Sequence, residues 1–190
     1  MNENEAVKNN EPENSVPKGA KEAFDWLQCI VAALIFTIVL FTFFARIIGV
    51  DGSSMYPTLV DKEHVAVSNL FYKPKHGDVV IVRQKTFKSE PLVKRIIGLE
   101  GDTVDIKDGA VYLNGSKLDE SKYLMDGMKT FESDIDFPVT VQEGCILVMG
   151  DNRTGSTDSR SSLIGQIDKR CILGRVYAVL LPLSRIGIVR

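Results

Sequence analysis

The stretch "GDTVDIKDGAVYLNGSKLDE", residues 101–120, decides the fold class of this chain. It contains Asp108-Gly109 and Asn114-Gly115, two dipeptides that favour two-residue hairpin turns because their residues tolerate a positive φ. Polar and apolar residues alternate between the turns, as they do in a strand with one buried face. The spacing predicts a three-stranded antiparallel meander from about Thr103 to Leu118.

Other segments rich in β-branched residues extend this prediction to most of residues 46–190. They are "GDVVIVR" (77–83), "LVKRIIGL" (92–99), "CILVMG" (145–150) and "RVYAVLLP" (175–182). Residues 119–139 are polar without a clear period, which predicts a small hairpin and loop excursion over about 103–140. The final "LPLSRIGIVR" (181–190) favours an edge strand over a lipid contact. We therefore expect a mainly β domain, built on an antiparallel β-sheet or a barrel-like variant of it.

An uncharged run, "WLQCIVAALIFTIVLFTFFA" (26–45), precedes this domain. As a helix with a rise of about 1.5 Å per residue it would be roughly 30 Å long, the thickness of a bilayer core. A buried soluble helix is one alternative. A cleaved signal peptide fits less well, because the preceding segment is net acidic and no small-x-small site follows. The pattern predicts a single transmembrane helix as a permanent anchor, and the polar segment 1–25 predicts a flexible tail.

The composition excludes several classes of function. The net charge is −2, so there is no basic field for binding nucleic acid. Cys29, Cys145 and Cys171 are too widely spaced for a zinc site, and two histidines leave little material for another metal site. No feature requires a cofactor. Cys145 and Cys171 could pair in an oxidising compartment, although lone cysteines are more usually small buried apolar residues.

The sequence "GSSMYPTL" (52–59) offers a candidate nucleophile. A serine hydroxyl is a weak nucleophile and needs a base to take its proton. His64 and His76 lie in polar, turn-like sequence, and we expect both at the surface. The remaining candidate is Lys94, in "PLVKRIIG" (91–98).

In a strand, Lys94 and Arg95 point to opposite faces, and each face has apolar neighbours. At least one of the two cations must therefore point toward a core or a protected cleft. Burial disfavours the charged ammonium and lowers the pKa of a lysine, which would make Lys94 a workable base, whereas an arginine stays protonated. Taken alone, a lysine that snorkels to the surface is the more common interpretation.

A dense polar loop follows the predicted strand 145–150, and such loops either position chemistry or only satisfy turns. With this loop the chain has four motifs, "GSSMYPTL", "GDVVIV" (77–82), "KRIIGLEGD" (94–102) and "GDNRTGSTDSRSSLIG" (150–165). In this order, behind an N-terminal anchor, they make the chain resemble the type I signal peptidases of bacteria. These are membrane-anchored serine proteases that remove signal peptides. The resemblance extends from the apolar run to about Gly187.

The resemblance implies a role for each motif residue. Ser54, directly before Met-x-Pro, would be the nucleophile, and Lys94 would be its base. Ser156 would donate a hydrogen bond that orients the lysine. Asp158 and Arg160 would support the site as structural residues.

One position departs from the best-known Gram-negative pattern, in which a serine two residues before the nucleophile donates to the oxyanion hole. Here that position is Gly52, as is common among Gram-positive-type members. The backbone N–H of Ser54 remains as one donor. The second donor stays open between the Ser53 hydroxyl and another backbone amide. The short chain, with one anchor and a small excursion, also resembles the Gram-positive type.

The function implied is cleavage of secretory pre-proteins after small residues at positions −1 and −3, as in Ala-x-Ala, through an acyl-enzyme. The implied partners are these pre-proteins, membrane lipid and, as a further candidate, the secretion translocon, without nucleic acid, metal or cofactor. The tail would be cytoplasmic, and domain 46–190 would lie outside the cell membrane. The alternatives are another Ser–Lys peptidase, such as a self-cleaving repressor, and a non-catalytic membrane-anchored assembly factor with a signal-peptidase-like fold.

Overall fold

The computed structural model describes residues 18–43, 46–83 and 90–189, within which the chain forms one α-helix and twelve strands. Their bounds are α1 Lys18–Phe43, β1 Arg46–Gly49, β2 His64–Ser68, β3 Val79–Val82, β4 Leu92–Leu99, β5 Thr103–Lys107, β6 Ala110–Leu113, β7 Ser116–Lys117, β8 Val139–Thr140, β9 Cys145–Met149, β10 Ile167–Asp168, β11 Ile172–Leu181 and β12 Gly187–Ile188. Short 3₁₀ helices span Lys169–Cys171 and Leu183–Arg185. The domain is therefore mainly β, as the sequence predicts.

Helix α1 begins at Lys18, within the segment 1–25 for which the sequence predicts a flexible tail. The large apolar side chains that are described between Phe24 and Ile38 are exposed. Across the residues described, no helix is both long and apolar enough to cross a membrane. Residues 1–17 of the predicted tail, and positions 44 and 45 of the apolar run, lie outside the described ranges.

The larger sheet contains eight strands of the described chain, in the order β1-β2-β11-β3-β4-β9-β10, with β12 paired to β11. All of its pairings are antiparallel. Among the strands that the structure describes, β11 pairs with three. It pairs with β2 along one edge, with β3 through residues Ile172–Arg175 and with β12 through Ala178–Val179. Because β4 lies between β3 and β9, it contacts two strands that are far apart from each other in sequence.

The smaller sheet has the order β7-β6-β5-β8 and contains the predicted meander. Both predicted hairpin turns have positive φ at their two central residues, 53° and 78° at Asp108-Gly109 and 51° and 81° at Asn114-Gly115. These values are the ones that a tight two-residue hairpin needs. At Gly98 in β4, an added Cβ would lie 2.8 Å from Val104 Cγ2, so this glycine allows β4 to approach β5 closely.

Most predicted strands are confirmed, and β4 has the predicted bounds. Strand β11 begins at Ile172, earlier than the predicted start at 175, and β12 forms a short edge strand in the C-terminal segment. The prediction of turn-like sequence around His64 was wrong, because His64 opens strand β2. Its alternating residues Val65 and Val67 are fully buried. Their burial favours a strand here, although the residues before it are polar.

The core that supports the candidate site lies between β2, β3 and β11 and the loop 50–63. Its buried members are Val50, Met55, Leu59, Val65, Val67, Val79, Ile81, Val176, Val179 and Val189. Met55 and Leu59 are 1% and 0% exposed, so they anchor the loop that carries the serine pair. Burying a side chain of this size stabilises the fold by about 1.5–3 kcal/mol. The loop that carries the serine pair is thus fixed to the hydrophobic core.

Candidate active site

Ser54 lies in the turn that follows β1. The backbone N–H of Tyr56 donates to Ser53 O at 3.1 Å, and that of Leu59 donates to Met55 O at 2.9 Å. The loop closes where Val50 N donates to Glu63 O at 2.7 Å. These bonds and the buried Met55 and Leu59 leave Ser54 half-buried at the surface of the fold.

Lys94 is the third residue of β4 and pairs with Val80 of β3. Its side chain is buried, with 2% of its surface exposed. Lys94 Nζ lies 2.8 Å from Ser54 Oγ, and the amine donates a hydrogen bond to the hydroxyl. The fold therefore joins a serine and a lysine that are far apart in sequence. This is the arrangement in which an amine can take a proton from a hydroxyl.

Both side chains line a cleft of about 470 Å³. Its lining residues are Ile48, Gly49, Val50, Asp51, Gly52, Ser54, Met55, Asp61, Ile81, Glu90, Pro91, Leu92, Val93 and Lys94. Most of them come from two segments, the end of β1 with the turn after it and the start of β4. Strand β1 is an end strand of the larger sheet as described, so this cleft runs beside a strand edge.

The loop after β9 holds the serine pair from the other side. Asn152 N donates to Ser54 O at 3.0 Å, and Asn152 Nδ2 donates to Ser53 O at 3.2 Å. The Asn152 Oδ1 accepts from Gly155 N at 3.1 Å, which fixes the orientation of the amide. The polar loop at 149–165 therefore has a specific task, because it clamps the backbone that carries the candidate nucleophile.

Gly150 permits this close approach, and its replacement gives a testable prediction. An added Cβ would lie 2.2 Å from Ser156 Oγ and 2.4 Å from Ser54 O. Because Ser54 O belongs to the backbone, the loop or the turn would have to move in Gly150→Ala. We expect kcat to fall about 100-fold, the effect of a shift of roughly 1 Å. We also expect the free energy of unfolding to fall by about 1–3 kcal/mol.

Steady-state kinetics measures the first quantity, and urea unfolding measures the second. Gly19→Ala is the matched control, since an added Cβ at Gly19 meets nothing within 4 Å. Wild-type kcat in a folded Gly150→Ala protein would contradict the argument that Ser54 is held against this loop.

Arg95, the neighbour of Lys94, points into a buried polar cluster. Its Nε and Nη2 donate to the two carboxylate oxygens of Asp151 at 2.8 and 2.7 Å, and its Nη1 donates to Gly77 O at 2.6 Å. Thr58 Oγ1 donates to Asp151 at 2.5 Å, and the Tyr123 ring lies 4.0 Å from the guanidinium. The sequence predicts that at least one of the two cations points inward. The structure buries both of them.

Asp158 and Arg160 form a second buried ion pair within the same loop. Arg160 Nε and Nη2 each donate to the Asp158 carboxylate at 2.8 Å, and Gly150 N donates to it at 2.9 Å. Burial by itself raises the pKa of Asp158, but the hydrogen bonds and charge of Arg160 outweigh it, so the pKa lies below its ordinary value. Arg160 also donates to the carbonyl oxygen of Arg153 at 2.8 Å, which ties the loop to itself.

Ser156 lies beside this pair. Its Oγ is buried and has no hydrogen-bond partner among the described residues. The hydroxyl lies near enough to Asp158 to help lower the pKa of that carboxyl, although no well-formed hydrogen bond joins them. The structure thus places Ser156 next to Gly150 and the Ser54 carbonyl. It does not show the hydrogen bond to Lys94 that the family resemblance implies.

Gly52 and Ser53 precede the candidate nucleophile, and both are exposed. Gly52 has a φ of +93°, a conformation that favours glycine, and its N–H donates to Asp61 Oδ1 at 2.7 Å. That N–H is therefore occupied and is a poor candidate for an oxyanion donor. The Ser53 hydroxyl is exposed beside Ser54 and has no such bond in the described structure.

The histidines and cysteines lie outside this arrangement. His64 and His76 are exposed, as predicted, and His76 Nε2 lies 2.6 Å from Asp102 Oδ2. The three cysteines are free thiols. Among the residues described, no group of His, Cys, Asp and Glu side chains is arranged to hold a metal ion.

Sequence reasoning did not identify Thr58, Glu63 or Arg185 as part of the site. Arg185 contacts Glu63 across 122 residues of sequence, and it also contacts the backbone of the loop that carries Ser54. The only local signal was an acidic residue in "VDKEHV" (60–65), a polar stretch in which burial could not be foreseen.

Comparison with known proteins shows the family of this chain. A family model described as "Signal peptidase, peptidase S26" matches residues 23–181. The chain belongs to this signal peptidase family. It is 40% identical to a signal peptidase I of Bacillus licheniformis over 86% of this chain and 91% of that protein. It is 38% identical to signal peptidase I T of Bacillus subtilis (strain 168) over 93% of this chain and 95% of that protein.

A crystal structure of a signal peptidase I from Enterococcus faecalis V583 is 28% identical, covering 55% of this chain and 97% of that chain with a TM-score of 0.44. The residues joined at 2.8 Å, Ser54 and Lys94, are the two candidates for nucleophile and base that the sequence analysis names.

Proposed function

We propose that this chain is a signal peptidase that removes signal peptides from secretory pre-proteins through a Ser54/Lys94 dyad. The observation that carries the proposal is the 2.8 Å contact between Ser54 Oγ and the buried Lys94 Nζ. The family and the curated names of the relatives support the same activity.

In the proposed mechanism, burial of Lys94 disfavours its ammonium form, so the neutral amine is available. Lys94 Nζ takes the Ser54 proton while Oγ bonds to the carbonyl carbon of the residue at −1. The C–N bond then breaks as the new lysine ammonium gives its proton to the leaving amine. In the second half, Lys94 takes a proton from water, the resulting hydroxide attacks the acyl ester, and Ser54 regains its proton.

The negative charge that forms on the carbonyl oxygen needs donors beside Ser54. The backbone N–H of Ser54 is the first donor in this proposal. Ser53 Oγ is the second, because Gly52 N already donates to Asp61. Asn152 supports both by fixing the carbonyls of Ser53 and Ser54. Ser156, Asp158 and Arg160 support the loop that carries this clamp.

The substrate is proposed to bind as an extended strand in the cleft beside β1 and the start of β4. In strand addition, main-chain hydrogen bonds hold the substrate, while pockets bind alternate side chains of the substrate and give specificity. In such a strand the side chains at −1 and −3 face the same side, toward the cleft. Its lining by Ile48, Met55 and Val93 favours small apolar residues, as in an Ala-x-Ala site.

The proposed setting is the cell membrane. The uncharged run 26–45 would be the single anchor, with residues 1–25 in the cytoplasm and residues 46–190 forming the peptidase domain outside. The exposed apolar side chains that are described in this run support an apolar environment for it. Membrane lipid and the secretion translocon would then be its neighbours.

The function is tested with the detergent-purified full chain and a precursor that carries an Ala-x-Ala site. Mass spectrometry should locate the cut directly after the second alanine. Replacing alanine by tyrosine at −1 should remove most of the cleavage, because the proposed subsite for this side chain, lined by Met55 and Val93, fits small residues. The same replacement at −2 is the matched control and should preserve it, since that side chain faces away.

Equal cleavage of both variant precursors would show a peptidase without the proposed specificity. A folded chain that cleaves none of them would instead favour the non-catalytic assembly factor.

A further inference from the structure

The segment after β11 reaches back to the loop that carries Ser54. Arg185, in this segment, donates through Nε to Glu63 Oε1. Its Nη2 donates to the carbonyl oxygens of Pro57 at 3.2 Å and Thr58 at 3.4 Å. One guanidinium therefore contacts three acceptors of a single loop. A planar fork of donors can satisfy such a set, whereas a lysine ammonium cannot match its geometry.

The burial of Glu63 makes its ion pair with Arg185 important for holding the two segments together. The Glu63 side chain is only 1% exposed, and its other carboxylate oxygen accepts from Val60 N at 2.9 Å. A buried carboxylate is costly unless a cation pairs with it. Within the described residues, Arg185 is the one cation at ion-pair distance from Glu63. The pair therefore holds the C-terminal segment against the loop 50–63.

The contacted carbonyls belong to the turn that begins at Ser53. Pro57 and Thr58 lie between Tyr56 and Leu59, whose N–H groups form the turn bonds described above. On its other side the turn is held by Asp151, which accepts from Thr58 Oγ1 at 2.5 Å. The turn is thus held between two charged groups from distant parts of the chain.

We propose that Arg185 is a positioning residue for the reaction, and the proposal rests on the proposed function. Arg185 contacts neither Ser54 nor the cleft. It acts through the turn, whose position sets the distance between Ser54 Oγ and Lys94 Nζ. Since a displacement of about 1 Å at a reacting group costs roughly 100-fold in rate, a modest movement of this turn affects kcat. In the part of the chain that the structure describes, the cleft wall formed by the start of β4 has no contact with Arg185, so substrate binding should change less than kcat.

The test compares Arg185→Lys and Arg185→Ala with wild type and with Arg170→Lys, using an Ala-x-Ala precursor. Arg170 is the matched control, because its side chain is 87% exposed and pairs only with Asp168 among the described residues. Arg185→Lys keeps a cation near Glu63, so we expect a folded protein whose kcat falls about tenfold and whose KM changes less than twofold. Millimolar guanidinium should restore part of the kcat of Arg185→Ala.

Thermal unfolding of each variant separates positioning from folding. Wild-type kcat in Arg185→Lys would overturn the proposal, and so would a loss of kcat that only follows the fraction of unfolded protein. A rise in KM with unchanged kcat would overturn it as well, by making Arg185 a substrate-binding residue. Wild-type cleavage, assayed in parallel, keeps the proposed function separate: if wild type cleaves and the variants match it, only the role of Arg185 fails.

Discussion

Ser54→Ala and Lys94→Arg should each lower kcat for precursor cleavage by about 10⁴-fold. Ser54→Ala removes the oxygen that would bond to the substrate carbonyl. Lys94→Arg keeps a long nitrogen-bearing side chain at this position but removes the base, because an arginine stays protonated. Since the two groups act in the same step, the double variant should be no slower than the worse single variant.

The pH dependence of the wild type tests the same mechanism. Only the neutral amine of Lys94 can accept the Ser54 proton, so cleavage should rise with pH until the lysine is deprotonated. The rate is measured from pH 6 to 10, with circular dichroism to show that the fold persists. Lys117→Arg, at an exposed position of β7, is the matched control and should retain the wild-type profile. Wild-type cleavage by Lys94→Arg would exclude the lysine as the base.

Asp151→Ala is expected to have the largest effect on stability. Asp151 and Arg95 are 0% and 1% exposed, and two hydrogen bonds of 2.7 and 2.8 Å join them. Removing the carboxylate leaves the guanidinium buried without its anion and Thr58 without its acceptor. Breaking such a pair costs about 3–5 kcal/mol, so the free energy of unfolding should fall by that amount.

Urea unfolding measures this change directly. Asp168→Asn is the control, since its partner Arg170 lies at the surface, where an ion pair contributes little. A loss from Asp151→Ala no larger than the loss from Asp168→Asn would show that the cluster is not a stabilising element. Where Asp151→Ala remains folded, kcat should also fall, because Asn152 next to it clamps the serine pair.

The sequence predicted best where its signals are local. The turns at Asp108-Gly109 and Asn114-Gly115 formed because each dipeptide accepts positive φ wherever it occurs. Strand β4 matched its predicted bounds because five of its eight residues are Val, Ile or Leu. Strand β2 was missed, since the polar residues before it favour a turn while its burial depends on β1 and β11.

In the candidate site, too, the sequence predicted some features and not others. The motifs singled out Ser54 and Lys94, and the structure brings them within hydrogen-bond distance. The contacts around them could not be read from the sequence. Asn152 meets the Ser53 carbonyl across 99 residues, and Arg185 meets Glu63 across 122. No local propensity selects between such partners.

By itself, the sequence determined a mainly β domain and the two side chains most suited to the chemistry. The first follows from turn residues and alternation, which a short segment carries, and the second follows from the family resemblance that four motifs in order imply. Only the tertiary structure decided that Lys94 is buried against Ser54 and that Arg95 turns to Asp151. The reason is that neighbouring residues of β4 point to opposite faces of the sheet, so Lys94 meets Ser54 while Arg95 meets Asp151. Which cation meets which partner is fixed by the register of β4 in the sheet and by the cost of leaving a buried charge unpaired.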